Sequence, residues 1–251
     1  MRATGYVLEY HLVSYRRTWR GSALSSFLLP LLTVLGFGVG VGAYIADVDG
    51  VPYLDWLMPG LIASTAMQVA FGNGTWPVLG GFEWRRIYFG QAAAPLRISD
   101  ILDGHLAFVA FRVLTTCGVF LLVAAGFGTL HSWWSLVVLP VAVLVGLAVA
   151  APVFAFSASI QTESYLSIVM RVGMIPMSLF SGVFFPIEQM PDPLVWLAWV
   201  LPLWHGVELS RAATLGLPAA WPVAAHLLVL FVWAGGGWVL AWHRFRRRLV
   251  V

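Results

Sequence analysis

The sequence predicts an all-α integral membrane protein: six transmembrane helices, an N-terminal amphipathic interfacial helix, and an outer-face re-entrant hairpin between spans five and six. Three observations predict it. Of 251 residues, 60% are hydrophobic and only 10% charged, with a mean hydropathy of +0.87, whereas a soluble domain keeps about 25% charged residues. Uncharged runs long enough for a span, about 20 apolar residues, recur along the chain. Arginines gather on alternate connections between those runs.

The spans follow in order. Residues 21–46 are uncharged and supply span one, and residues 56–82 supply span two. No charge occurs between Arg112 and Glu163, a run long enough for two spans and broken at the turn-like GFGTLHS of 126–132. Span three must begin near Ile101, which places Arg112 inside it, and span four covers about 134–160. Span five starts near Ser164, takes in Arg171 and bends at Pro176. Span six begins near Trp221.

Arginine counts orient these spans, because cytoplasmic connections carry the excess of positive charge. Arg2, Arg16, Arg17 and Arg20 precede span one; Arg85, Arg86 and Arg97 follow span two; Arg244, Arg246, Arg247 and Arg248 end the chain. The connections after spans one and three have none, and the one after span five has only Arg211. Both termini are therefore expected in the cytoplasm of a multi-pass inner (plasma) membrane protein. Asp47, Asp49 and Asp55 fall on the outer side. No cleaved signal peptide is expected, because charges interrupt the first 20 residues.

The segment 186–212 is apolar but broken by Pro202, with fifteen uncharged residues between Asp192 and Glu208. That is too short to cross, and a crossing would put RFRRR outside. It is expected to enter from the outer face and return, shielded by neighbouring helices, with Trp196, Trp199 and Trp204 at the interface. A plain interfacial hairpin is the bland alternative to a role in an exit gate.

The cytoplasmic segment 80–100 follows span two. Residues 83–91 can form a short helix mixing Trp84, Ile87, Tyr88 and Phe89 with charges, ended by Pro95. Such a helix suits a groove on a partner protein or an ordinary membrane-surface loop. Residues 1–22 place Leu8, Leu12, Tyr15 and Trp19 on one helical face, with Glu9, Arg16 and Arg20 to the side, as in a helix lying on the inner surface.

The chemistry read from the chain is mostly exclusion. All 14 basic residues are arginine, so neither a P-loop lysine nor a Schiff-base lysine is available. The glycines of GFGVGVGAY (36–44) and AGGGW (234–238) sit in spans and suit helix packing. The six histidines, His11, His105, His131, His205, His226 and His243, are scattered, so no metal site is expected. Cys117, the single cysteine, reads as a small buried hydrophobe. No basic-aromatic groove points to nucleic acid. Arg112 and Arg171 lie within spans, where arginine costs about 2.5–3.5 kcal/mol at the centre. Asp103, Glu163 or Gln161 are candidate partners, and snorkelling to headgroups is the alternative, readiest for Arg171. Asp100 and Asp103 read as solvated flanking charges.

Three stretches resemble one family. YLDWLMPGLIASTAM (53–67), RIYFGQAAAPLRISDILDGH (86–105) and SLFSGVFFPIEQMPDPLVWLAWVLPLWHGVELSRAATLG (178–216) are similar to the transmembrane subunits of ABC-2 type exporters, closest to the nodulation-factor (lipo-oligosaccharide) and daunorubicin permease branch. The last carries S-G-x-x-F-P, Q-x-P and P-L-x-H-x-x-x-L-x-R, with Trp204 where threonine is commoner. The resemblance implies a type V exporter fold in one domain, 1–251, and no catalysis by this chain. It implies two ATP-binding-cassette ATPase subunits, which bind ATP and magnesium, and a second permease copy or homologue. The chain itself would bind no cofactor. Glu83, Trp84, Arg85, Arg86, Ile87, Tyr88 and Phe89 would contact the ATPase. Phe185, Pro186, Glu188, Pro202, Trp204, His205, Glu208 and Arg211 would form the outer gate. The cargo would be a lipid-linked glycan, a glycolipid or a similar amphipathic molecule, or a hydrophobic drug in the other branch. An ion-driven secondary transporter would favour internal repeats and midplane carboxylates, which are not seen; a lipid-modifying enzyme would need clustered acids, and only Asp100, Asp103 and His105 come close.

Overall fold

The computed structural model describes residues 2–45, 47–48, 50–130 and 132–250. Ala46, Asp49 and His131 lie outside the described residues, as do the side chains of Arg2 and Arg20. The chain opens with α1 (Arg2–Thr33), which continues into a π-helical stretch, Val34–Val41. A small antiparallel hairpin, β1 (Asp47–Val48) and β2 (Val51–Pro52), leads to α2 (Tyr53–Gly74). Next come α3 (Trp76–Glu83), α4 (Ile87–Ala92) and α5 (Ile98–Gly126). A 3₁₀ turn, Trp133–Val137, precedes α6 (Val138–Ser157). A π-turn, Met170–Met174, joins α7 (Ser164–Val169) to α8 (Ile175–Phe180). The last three helices are α9 (Asp192–Val200), α10 (Pro202–Leu215) and α11 (Val223–Leu249).

Three described helices are long and apolar enough to cross a membrane: α5, the Trp133–Ser157 rod and α11. Ser164–Phe180 is a shorter apolar helix. The central helix is α2, packed against α5, α6 and α10. Its burial on nearly every side follows from its sequence, because small residues (Gly60, Ala63, Ser64, Ala66, Ala70) let neighbours approach. An added Cβ on Gly60 would lie 3.1 Å from the Val183 carbonyl oxygen, and one on Gly74 2.8 Å from Val153 Cγ1.

The bundle has two distinct ends. At one, Thr4 donates to Asp100 at 3.1 Å, Arg248 pairs with Glu83, and Arg248 also donates to the carbonyls of Ala158 (3.2 Å) and Ile160 (2.9 Å). The starts of α1 and α5 thus meet there, as do the ends of α3, α6 and α11. At the other, the Phe37 and Phe184 rings are 4.9 Å apart, and Arg211, near the end of α10, reaches the start of α2. We refer to these as the Glu83 end and the Arg211 end.

Three sequence expectations are corrected here. The separate interfacial helix over 1–22 is instead the first two-thirds of one continuous helix. No proline interrupts α1 before Pro30, and the helix lies along α5 from its first turn. The face that packs is Thr4, Val7, His11 and Tyr15, because Gly104 lets Val7 settle on the α5 backbone, while Trp19 is 49% exposed. Span two does not run unbroken over 56–82. Thr75 (φ −93°, ψ −101°) ends α2, and Pro77 in the first turn of α3 fits there because it has no N–H to bond back into α2. Nor is 83–91 one helix. Arg86 takes a left-handed conformation (φ 50°), and α4 starts only at Ile87.

Candidate coupling surface and gate

At the Glu83 end, the α3–α4 turn displays Trp84, Arg85, Arg86 and Phe89, with Ile87 half-buried. Tyr88 is different: it is buried, so it cannot contact a docked partner, which corrects that part of the sequence reading. Helical spacing puts it opposite the displayed face of α4. Gly81 leaves room for its ring, which packs against Phe82 (4.6 Å) and Phe245 (5.1 Å). Its hydroxyl lies 2.7 Å from His105 Nδ1. Burial, reinforced by Tyr10, pushes the Tyr88 phenol well above its usual range, so it stays protonated and donates to that nitrogen. Glu83 is also not free, being held by Arg248, whose guanidinium lies over the Phe82 ring at 4.4 Å. The exposed turn is therefore mounted on a fixed base built from α3, α5, α6 and α11.

At the Arg211 end, α9 and α10 form a helical hairpin. Its turn reaches inward: Trp233 Nε1 donates to the Val200 carbonyl at 2.9 Å, and Pro202 shares an apolar cavity with Val149 and Trp233. α10 then returns, with Gly206 seated against Val145 where no side chain would fit. Arg211 closes the return. It donates through Nη2 to the Gly182 carbonyl (2.6 Å) and through Nε to that of Trp56 (3.2 Å). Its guanidinium lies 3.5 Å from the centre of the Trp56 ring, and Glu208 is 3.8 Å away. Gly182 adopts φ 71°, a left-handed turn that favours glycine and aims its carbonyl at Arg211. Glu208 also accepts from the Ala220 N–H at 3.0 Å. Between these groups lies a cavity of about 190 Å³, with Glu188 and Trp204 in its wall.

His205 joins the hairpin to α11. Its Nε2 lies 2.8 Å from the Trp199 carbonyl and its Nδ1 2.8 Å from His226 Nδ1. A carbonyl only accepts, so His205 Nε2–H donates to it, and His226 Nδ1–H donates to His205 Nδ1. Trp204 packs with Trp221 (5.0 Å) and is buried, which corrects its interfacial placement; Trp196 and Trp199 are exposed. Phe185 (37% exposed) and Glu188 stand on the surface beside half-buried Pro186, and Pro202 starts α10 in the interior.

The two arginines expected within spans part company. Arg171 lies in the π-turn with an exposed side chain, so it faces the bundle's outside. Arg112 sits over the Tyr15 ring at 4.4 Å. Asp103, a suggested partner, instead accepts from Trp238 Nε1 at 2.6 Å, and Asp100 accepts from Thr4 and from the Arg97 N–H. Neither acid is a merely solvated flanking charge. Sequence reasoning missed Trp56, Gly60, Trp221 and His226. The Pro59–Gly60 pair inside a helix was the one local sign that backbone approaches there.

Residues 2–215 match the family model described as ABC-2 type transporter. Similar curated proteins include Nodulation protein J of Sinorhizobium fredii strain NGR234, 32% identical over 92% of this chain and 90% of that protein. Nodulation protein J of Rhizobium leguminosarum bv. viciae is 30% identical, covering 92% and 91%. Inner membrane transport permease YadH of Escherichia coli K12 is 24% identical, covering 93% and 90%.

Proposed function

Because the chain belongs to the ABC-2 type transporter family, we propose that it exports a lipid-linked glycan, glycolipid or similar amphipathic cargo, of the lipo-oligosaccharide class. It is a multi-pass membrane permease that is not itself catalytic, and permeases of this family work with separate ABC ATPase subunits. In this reading the chain crosses the membrane six times, by α1, α2–α3, α5, α6, α7–α8 and α11, with both tails and the Glu83 end in the cytoplasm. The α9–α10 hairpin is re-entrant from the outer face, two ATPase copies supply ATP and magnesium, and a second permease completes the pathway.

One observation carries the reading: the exposed Trp84–Arg85–Arg86–Phe89 turn sits on a packed base tied by the Arg248–Glu83 pair at the arginine-rich end. A turn so anchored passes a push from a docked ATPase to α3, α6 and α11 together. The aromatic and arginine content suits a protein interface centre. Hydrophobic drug efflux is the second reading, and the similarity to nodulation proteins favours the first.

Co-purification with the native ATPase tests the docking. Arg85→Ala with Arg86→Ala is expected to weaken ATPase retention about ten-fold or more and leave membrane insertion unchanged. Full retention by that double variant rules out the turn as the docking surface. In inverted vesicles carrying the complex, ATP-dependent uptake of a labelled lipo-oligosaccharide but not of daunorubicin is expected.

A further inference from the structure

At the Glu83 end, α1, α2, α3, α4 and α5 surround a cavity of about 250 Å³. Two arginines line it, Arg85 from the α3–α4 turn and Arg112 from α5, together with His11, Ser14, Tyr15 and Asn73. None of the described lining residues is a carboxylate. Arg112 has no acidic partner among the described residues, only the Tyr15 ring.

An arginine within a span-length apolar helix is costly and normally finds a counter-charge. Here a second arginine lines the same space, and an anion between two cations offsets their repulsion. The guanidinium fork matches phosphate oxygens bidentately. Ser14 and Asn73 add neutral hydrogen-bonding groups around the same space. Basic pockets between transmembrane helices take up anionic headgroups in this manner. The cavity is smaller than the roughly 300–1,000 Å³ that encloses a drug-sized ligand, which suits a headgroup and not a whole amphiphile.

We propose that this cavity is a binding site for a phosphate-class oxyanion, either the headgroup of an anionic membrane lipid or a phosphate carried from solution. The site is independent of the cargo assignment, and its wall includes the turn proposed to dock the ATPase. Occupancy would tie Arg85 to Arg112 and so hold that turn against α5.

The test uses the purified full-length chain in nanodiscs, without ATPase or cargo. One arm dopes phosphatidylcholine with phosphatidylglycerol and counts phosphatidylglycerol carried through native mass spectrometry. The other adds inorganic phosphate to pure phosphatidylcholine discs and measures protection of arginine from phenylglyoxal. Retention of phosphatidylglycerol by the unaltered chain, reduced about ten-fold in Arg112→Gln or Arg85→Gln and unchanged in Arg171→Gln, supports a lipid headgroup. Protection by inorganic phosphate alone, lost in the same variants, supports the solution source. Arg85 is exposed, so Arg85→Gln keeps the test valid should Arg112→Gln fail to fold. Equal retention by the unaltered chain and Arg85→Gln, with no phosphate protection, overturns the proposal.

Discussion

Arg211 shows how much a single side chain fixes at the end of the bundle where α2 and α10 meet. It satisfies two backbone carbonyls from different segments and covers the Trp56 ring. Hydrogen bonds to charged groups contribute about 1.5–3 kcal/mol each and leave costly orphans when cut. Arg211→Met is therefore expected to destabilise the bundle by about 3 kcal/mol, read as a lower detergent melting temperature. Arg211→Lys should recover only part of this, since an ammonium cannot span both carbonyls in the plane that the fork uses. A melting curve unchanged in Arg211→Met would show the contacts to be incidental. The sequence marks Arg211 through its P-L-x-H-x-x-x-L-x-R setting but is silent about its partners. Carbonyl acceptors leave no trace in residue type, and the His205–His226 pair is separated by 21 positions. Tyr88 was misjudged for a related reason: in a six-residue helix one turn decides which side faces inward, and Gly81 made that choice.

At the scale of elements, the clasp formed by Arg248 joins the α3 end to the carbonyls that follow α6. Breaking it with Arg248→Ala should leave ATPase docking intact, because the displayed turn is untouched, yet lower export several-fold, about the effect of 1 kcal/mol or more in coupling. Retained export with retained ATPase would remove the clasp from the transmission path. The long helices α5, α6 and α11 were legible from uncharged length alone. Their interruptions were harder to read. Thr75 ends α2 although nothing about threonine demands a break, because Pro77 downstream and the packing of Phe82 set the new direction. The continuity of α1 into its apolar half was hidden in the same way, since Glu9 and Arg16, which signalled a surface helix, stay exposed while Val7, His11 and Tyr15 pack on α5.

For the whole molecule, hydropathy, the arginine alternation and the 178–216 signature were enough to indicate the family and a membrane bundle, whereas the two-ended construction needed coordinates. Local patterns report how a segment meets solvent or lipid, and long-range carbonyl, ring and histidine contacts report how segments meet each other. The six-span topology requires the Glu83 end and the C-terminal tail to share the ATPase side while the α9–α10 hairpin starts on the other. Cysteine labelling in sealed right-side-out vesicles addresses this directly. Cys117 is buried, so a Cys117→Ser background is blank to the reagent, and Gly90, Asp192 and Val250 are exposed. Asp192→Cys should react with an impermeant maleimide in intact vesicles, with Gly90→Cys and Val250→Cys reacting only after permeabilisation. Labelling of Gly90→Cys and Asp192→Cys from the same side would contradict it.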